Sequence, residues 1–402
     1  MEEWTSYLLS DLADIVTGKT PSTKIESYFG GGIHFITPGD INKGLKHIIS
    51  TDRTLTNAGL NSIKGSMIEP NSICVSCIGN IGYVGMATME CATNQQINSL
   101  VVKSGFDADF VYYLMKYLWP EFKNFEGQST TLSILNKGLF SKIEVKVPSL
   151  NTQECIAKLL SSFDDKIELN NRINHNLEEQ AQALYKSWCV CFDPYKSGGF
   201  IDSELGPIPH GWQVIPLKDI VDYKKKSVNP QKSPDTWFVH YSLPAFDNAK
   251  EPEIQKGASI MSNKFLLEGK TVLFSKLNPR IKRIWPIEKT TPNSICSTEF
   301  IVYKAKNESL HPFVWCLLNG DYFYDKVLSE VNGATGSHQR FHADDTLDYV
   351  IPFNLETAIR LSEKVAPMLQ SIIEKEDEIR VLKAKRDALL SKLMSGELKL
   401  TC

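Results

Sequence analysis

The residues best suited to chemistry by type and spacing fall in a few short stretches. Ala13 to Thr20 ends in Gly18-Lys19-Thr20, a relaxed version of a phosphate-loop pattern. That chemistry needs a glycine-rich loop opening a helix whose first N–H groups hold phosphate. Asp14-Ile15-Val16-Thr17 is no flexible cradle, Pro21-Ser22-Thr23-Lys24 is a poor helix start, and Lys224-Lys225-Lys226, the comparable place later in the chain, has no glycine. Cys74 and Cys77 form one CxxC without a second pair, in a run (Ser72 to Ile78) that reads as a strand. Residues i and i+3 of a strand face opposite sides, so buried thiols fit better than a zinc site. His338 and His342 would share a face only on a helix, and Gly333 to Arg340 reads as loop. No Gly-x-Gly loop follows a strand, no nucleophile elbow is visible, and Asp193-Pro194-Tyr195 lacks the second proline of an amino-methyltransferase motif. These residues supply no metal site and no recognisable catalytic centre.

What remains is polar and basic. Lys264 to Lys289 holds seven Lys or Arg against two Glu, and Lys276, Arg280, Lys282 and Arg283 lie within eight residues, with Asn278 among them and Trp285 beside them. Taken alone, such a run is a solvated loop. Facing DNA, its cations would meet phosphate and its Arg and Asn side chains could reach base edges. Polar loops supply similar groups: Lys19, Thr20, Ser22, Asn80, Tyr83, Asn94, Gln95, Gln96, Asn98, Gln128, Ser129 and Thr130 in the first half, and Ser337, His338, Gln339 and Arg340 in the second. The net charge of −3 argues against an independent, high-affinity nucleic-acid binder, and fits one whose positive charge is local or supplied by partners. No apolar run reaches the length of a membrane helix. Met1-Glu2-Glu3-Trp4 lacks a signal-peptide pattern, and nine irregularly spaced cysteines in a long chain point to a reducing cytoplasm.

The elements that must position these groups are announced by a helical repeat. Apolar residues step by four and three at Ile156, Leu160, Phe163, Ile167, Leu177, Leu184 and Trp188, with Asn170, Asn174 and Ala181 in phase. That 3.5-residue period marks a helix lying along another helix, about 50 Å long at 1.5 Å per residue. Adding 205 to each number gives Leu361, Val365, Met368, Ile372, Lys375, Ile379, Leu382, Arg386, Leu389 and Leu393, a second helix in the same phase. The repeat extends outside the helices. Leu12, Asp14, Ile15 and Val16 recur as Leu217, Asp219, Ile220 and Val221. Ile73 and Ser76 match Val272 and Ser275. Phe110, Val111 and Leu114 match Phe313, Val314 and Leu317, and Val147-Pro148 matches Ile351-Pro352. The loops between these anchors share almost nothing, which fits two modules doing one job on different targets.

The expected plan is α+β: two similar α/β domains separated by two long antiparallel helices in an internal pseudo-twofold repeat. The boundaries read as 1–150, a spacer helix at 151–192, a linker at 193–209, a second domain at 210–354 and a second spacer helix at 355–398. Within the first domain the expected elements are a short helix or strand near Tyr7 to Val16, strands at Ile33–Thr37, Ser72–Ile78, Tyr83–Met86, Ser99–Val102 and Ile143–Val147, and a helix from Asp107 to Leu118 capped by Asp107 or Asp109. The last helix should stop at Gly396.

This pattern resembles the specificity subunit of a Type I restriction-modification system along the whole chain. The motifs that carry the resemblance are Gly18-Lys19-Thr20-Pro21-Ser22, Asn94-Gln95-Gln96-Ile97-Asn98-Ser99-Leu100, Gly127-Gln128-Ser129-Thr130, Val147-Pro148-Ser149-Leu150 and the ending Lys385 to Leu398. The second module departs from it, with Ser297-Thr298-Glu299-Phe300 standing where the Asn-Gln-Gln segment would be. The resemblance implies a subunit without catalysis. Two target recognition domains would each read half of a split DNA target, and Asn170 and Asn174 would sit at the seam of the spacer. Two methyltransferase subunits would carry S-adenosylmethionine, with restriction and translocase subunits joining them; no cofactor is expected in this chain. Two other readings remain open from the residues: a coiled-coil scaffold that binds only protein, and a nucleotide-binding protein built on Gly18-Lys19-Thr20.

Overall fold

The computed structural model describes residues 4–41, 44–79, 81–123, 135–330, 341 and 344–400. The chain forms two compact units, Met1–Leu169 with Val381–Cys402, and Asn170–Arg380. The strands of the first unit are β1 (Thr5–Leu8), β2 (Ala13–Thr17), β3 (Phe29–Ile36), β4 (His47–Ile48), β5 (Arg53–Leu55), β6 (Met67–Ile68), β7 (Ile73–Ser76), β8 (Val84–Ala87), β9 (Cys91–Thr93), β10 (Ile97–Val102) and β11 (Glu144–Val147). They make sheets in the orders β2-β10-β7-β8-β4 and β5-β3-β9-β6, plus a β1-β11 ribbon. The second unit contributes β12 (Phe200–Ile201), β13 (Ile208–Pro209), β14 (Gln213–Pro216), β15 (Val221–Tyr223), β16 (Ser227–Val228), β17 (Trp237–Tyr241), β18 (Glu253–Lys256), β19 (Lys264–Leu266), β20 (Thr271–Ser275), β21 (Ile284–Ile287), β22 (Ser294–Ser297), β23 (Phe300–Ala305) and β24 (Val350–Phe353). Its sheets are β15-β23-β20-β21 and β16-β19-β22-β17-β18, with β14-β24 and β12-β13 ribbons.

The two orders share one topology apart from β4 and β16, each of which extends a sheet in one unit only. β2, β10, β7 and β8 correspond to β15, β23, β20 and β21, and β5, β3, β9 and β6 to β18, β17, β22 and β19. β3 runs parallel to β9 as β17 runs parallel to β22. The register fixes residue equivalents more firmly than the letters do. Leu100 pairs with Ile73 and Ile97 with Ser76, as Tyr303 pairs with Val272 and Phe300 with Ser275. At the N-terminal edge the structure corrects the offset of 205. Leu9 N donates to Ile143 O at 3.0 Å and Leu217 N to Tyr349 O at 2.8 Å. Lys103 N donates to Leu12 O and Lys306 N to Ile220 O, both at 2.9 Å. Leu12 is therefore matched by Ile220, three residues beyond the Leu217 that the letters suggested. Likewise Val147 corresponds to Phe353, since they face Thr5 and Gln213 four residues before Leu9 and Leu217. Apolar residues recur every few positions in any amphipathic segment, so a slip of this size keeps the letters looking alike.

Local signals behave as their chemistry requires. Tyr7 to Val16 is strand, one helical turn (Leu9–Leu12) and strand. The helix Ala108–Tyr117 is capped by Asp107, whose carboxylate accepts from Phe110 N at 2.7 Å. Gly396 at φ +74° lets Leu398 N reach back to Lys392 O at 2.9 Å and close the last helix. Cys74, Cys77, Cys91, Cys189, Cys191, Cys296 and Cys316 are free thiols; Cys155, which is disulfide-bonded, departs from the all-reduced expectation. Cys74 and Cys77 are buried, and burial pushes both thiols up to about 12. Among the described residues no helix is long and apolar enough to cross a membrane.

The central helix, Leu150–Tyr185, and the C-terminal helix, Leu355–Met394, pack antiparallel, as the contacts inside each unit show. In the first unit the early part of the central helix (Ile156, Leu160) shares a core with the end of the other helix (Leu390, Leu393). In the second, Asn170 donates to Glu378 Oε2 at 2.9 Å and Asn174 to Ile372 O at 3.4 Å. Ile167 and Ile379 are also buried. The offset of 205 holds at most inner positions: Ile156, Ala157, Leu160, Asp164, Ile167, Asn174, Ala181 and Tyr185 are buried, and so are Leu361, Ser362, Val365, Leu369, Ile372, Ile379, Arg386 and Leu390; buried Asn170 answers to half-buried Lys375, and half-buried Trp188 to buried Leu393. The seam departs from the strict 3.5 repeat in one way. Phe163, Leu177, Leu184, Trp188, Met368, Leu382 and Leu389 are only half-buried, while Asp164, Leu369, Tyr185, Cys189 and Leu390 take the inner positions. A straight helix turns every 3.6 residues, so its buried stripe gains on a 3.5 repeat by about 20° per heptad.

Because Leu160 is fully buried in the first unit's core, Leu160→Ala should cost about 2–5 kcal/mol of stability. Lys158→Ala, on the exposed face, should stay within about 0.5 kcal/mol. Urea denaturation of both variants checks this.

Candidate nucleic-acid interface

In an antiparallel sheet the end of one strand and the start of its neighbour share an edge. That rule gathers three loops of the first unit at one edge: the turn after β2 (Gly18 to Ser22), the hairpin between β7 and β8, and the link between β9 and β10 (Asn94 to Gln96). Hydrogen bonds tie them together. Gly18 N donates to Ile97 O at 3.0 Å, Lys19 N to Thr93 O at 2.9 Å and Cys77 N to Gln96 O at 2.7 Å. Thr17 Oγ1 donates to Asn98 Oδ1 at 2.7 Å, and Thr20 Oγ1 donates to Gln95 Oε1. Gly18 is needed for the fit, because a Cβ there would lie 2.0 Å from Asn94 O. Two segments 75 residues apart thus form one surface. Lys19, Ser22 and Gln95 are exposed on it, and Thr20 and Gln96 are half-buried. Gly18 is a packing residue rather than part of a phosphate cradle, and Lys19 Nζ donates to Lys64 O at 3.1 Å. Tyr83 faces elsewhere. Half-buried, it lines a cavity of about 480 Å³ with Tyr112, Tyr117 and Trp119.

The second unit repeats the frame with other letters. Lys276 N donates to Glu299 O at 2.9 Å, the counterpart of the Cys77–Gln96 bond. Ser297 Oγ accepts from Glu299 N at 3.2 Å, as Asn94 Oδ1 accepts from Gln96 N at 3.0 Å. Lys276 to Arg283 is the hairpin between β20 and β21, and Lys224-Lys225-Lys226 follows β15. Much of the positive charge is engaged internally. Arg283 is 10 % exposed and grips Asp247 with Nε at 2.6 Å and Nη2 at 2.9 Å. Lys282 Nζ donates to Asn319 O at 2.5 Å and lies 5.0 Å from the Tyr324 ring centre. Lys224, Lys225 and Lys226 pair with Asp222, Asp344 and Glu268 at 2.9, 2.5 and 2.6 Å. Arg280 is exposed, Lys276 and Asn278 are half-buried, and Asn278 sits at φ +47° at the hairpin tip. Among the described residues no ion pair engages Lys276 or Arg280, whereas Arg283 and Lys282 hold the hairpin in shape. Asn80, Gln128, Ser129, Thr130, Ser337, His338, Gln339 and Arg340, with His342, lie outside the described residues.

A polar seat that the letters did not reveal joins the first recognition region to the helices. Asp164, 2 % exposed, receives Arg386 Nη1 on Oδ1 and the Tyr113 hydroxyl on Oδ2 at 2.6 Å. Burial works against the Arg386 charge, but Asp164 and Asp387 outweigh it and hold the guanidinium still more firmly protonated. Lys46, also 2 % exposed, contacts Asp109 Oδ1 at 2.6 Å, donates to Ser161 Oγ at 2.7 Å and faces the Tyr112 and Tyr113 rings. His47 offers Glu168 both its backbone N–H (2.9 Å) and its imidazole Nδ1 (2.8 Å). The hydrogen bond to Glu168 raises the His47 pKa despite burial. The only signal in the sequence was a polar residue, Arg386, standing in phase on an apolar seam.

The fold and the paired loops define a duplicated recognition module on a helical spacer, and comparison with known proteins assigns it. The family profile described as "Type I restriction modification DNA specificity domain" matches residues 1–179. The Type I restriction enzyme MjaIX specificity subunit of Methanocaldococcus jannaschii is 30 % identical over 99 % of this chain and 94 % of its own length. The HindI specificity subunit of Haemophilus influenzae is 33 % identical over 44 % of this chain and 39 % of its own. The crystal structure of a Type I S subunit from M. genitalium shares the fold, with a TM-score of 0.60 at 18 % identity, covering 98 % of this chain and 96 % of that one. The chain belongs to the specificity subunits of Type I restriction-modification systems.

The His47–Glu168 pair has a signed pH dependence. A histidine whose folded pKa is raised adds stability that is complete below its unfolded pKa, about 6.5, and that is lost as pH rises through the folded value. His47→Gln should therefore destabilise more near pH 5.5 than near pH 8.5. Urea midpoints of both proteins across that range test it, and a pH-independent difference would contradict a charged pair.

Proposed function

We propose that the chain is the DNA-reading subunit of a Type I restriction-modification complex, each recognition region reading one half of a bipartite target. One observation carries the assignment of the reading surface. Two loops, the hairpin and the link before the next strand, meet at the same sheet edge in both units through Cys77 N to Gln96 O in one and Lys276 N to Glu299 O in the other, but they carry different side chains: Gln95 and Gln96 in the first unit, Lys276, Arg280 and Thr298 in the second. A constant frame with variable tips suits two half-sites of unlike sequence. The chain itself is non-catalytic, and methylation belongs to methyltransferase subunits that bind S-adenosylmethionine. Restriction subunits join that assembly, which works in the cytoplasm. A nucleotide-binding role has lost its support, because Gly18 packs against Asn94 and Lys19 donates to a backbone carbonyl.

With a net charge of −3 and many cations paired internally, the isolated chain should bind DNA weakly and tightly only with methyltransferase subunits bound. Equal affinity of both forms at about 0.15 M salt would refute this.

Lys276→Ala with Arg280→Ala should impair the half-site read by the second region and leave discrimination at the first intact. Removing a cation that touches phosphate should flatten the salt slope by about one, and removing one that reads guanine should cost roughly 1–3 kcal/mol at that base. Arg283→Ala should act mainly through stability, since it strips Asp247 of its partner. Methylation of a panel of targets altered one base pair at a time separates these outcomes. Unchanged methylation and salt slope in the double variant would place this hairpin away from DNA.

A further inference from the structure

The two recognition regions share a frame, yet they are seated on the helices by different forces. Under the offset of 205, Asp164 corresponds to Leu369 and Arg386 to Ala181. In the second unit those places are apolar, with Leu369 1 % and Ala181 0 % exposed in its main core. In the first unit the same places hold an ion pair, 2 % and 7 % exposed. Stability does not explain the choice, because well-packed apolar residues commonly match or exceed a buried ion pair. What the ion pair adds is direction. An apolar contact tolerates sliding and rotation by a few tenths of an ångström, whereas a carboxylate with both oxygens engaged fixes the groups that engage it.

Three elements converge on that one carboxylate: the central helix through Asp164, the C-terminal helix through Arg386, and the recognition region through Tyr113. Tyr113 belongs to the helix Ala108–Tyr117, which packs against β7 and β8, the strands whose hairpin lies at the candidate reading edge. Lys46 forms a second strut between the same partners, joining Asp109 to Ser161 on the central helix. Rotation of this region on its seat would carry its loops with it.

We propose that Asp164 is a positioning residue that fixes the seat of the first recognition region through Tyr113 and Arg386, and thereby sets the half-site spacing the complex accepts. The inference rests on the bipartite-target reading above. Its test uses the full complex with methyltransferase subunits and targets whose half-sites are separated by the native spacing or by one base pair more or less. Tyr113→Phe deletes the recognition-region arm and leaves the helix–helix pair in place. Asp164→Asn weakens both arms. Asp164→Leu with Arg386→Ala copies the apolar solution of the second unit and keeps the seam filled should Asp164→Asn fail to fold. Tyr113→Phe and the apolar double variant are each expected to lower the preference for native spacing by roughly tenfold, the scale of one hydrogen bond to a charged group. Discrimination among bases within each half-site should stay unchanged. A merely structural role would reduce methylation of all three spacings in proportion. That proportional loss, or wild-type spacing preference in both variants, overturns the inference. A wild-type complex that methylates no bipartite target would overturn the functional reading itself, which sets the two failures apart.

Discussion

Two helices of 36 and 40 residues stay paired only if each presents one continuous inward stripe, and the remaining architecture depends on that seam. Most of the stripe is apolar, but it is interrupted by polar residues with definite partners. Asn170 and Asn174 each donate one bond while their Oδ1 atoms are buried without a hydrogen-bond partner among the described residues. Such atoms lower stability and raise specificity, because a slip of one turn would strand the donors as well. The seam is also complementary between the two helices and not within either. An antiparallel pair of central helices from two copies would set Asp164 opposite Ala181, and a pair of C-terminal helices would set Arg386 opposite Leu369. Each would bury an unpaired charge. The two halves of one chain are built for each other.

Much of this was legible in the sequence because it is periodic or local. The helices announced themselves through repetition at a fixed offset, which survives into the burial pattern at most inner positions, Asn170 with Lys375 and Trp188 with Leu393 excepted. The Asp107 cap and the Gly396 stop each rest on a single side chain or its absence, so the letters sufficed. The N-terminal correspondence was misjudged by three residues because it depends on strand register, and register is set by residues far apart in the chain, such as Leu12 and Lys103. The inner stripe was misjudged by one position wherever the 3.5 repeat lagged behind the helix.

The candidate site was less legible for a related reason. Sequence shows that a cation is present and not whether it is spoken for. Lys276, Arg280, Lys282 and Arg283 look equivalent as letters, yet Asp247, 36 residues from Arg283, separates a shaping role from an available one. The seat of Asp164, Tyr113 and Arg386 was invisible for the same reason, with partners 51 and 222 residues from Asp164. Conversely, Gly18 invited a chemical reading from its neighbours, and the Asn94 carbonyl packed against it gives a steric one.

The candidate reading loops are held by backbone groups: Cys77 N to Gln96 O in one unit, Lys276 N to Glu299 O in the other. A main-chain bond is indifferent to the side chain of the residue that makes it. The exposed tips, such as Gln95 and Arg280, can therefore change at little cost to folding, since surface substitutions typically stay within about 0.5 kcal/mol. Selection on what the tips touch is then nearly uncoupled from selection on whether the chain folds. A protein built this way can drift to new targets one residue at a time while its scaffold stands still.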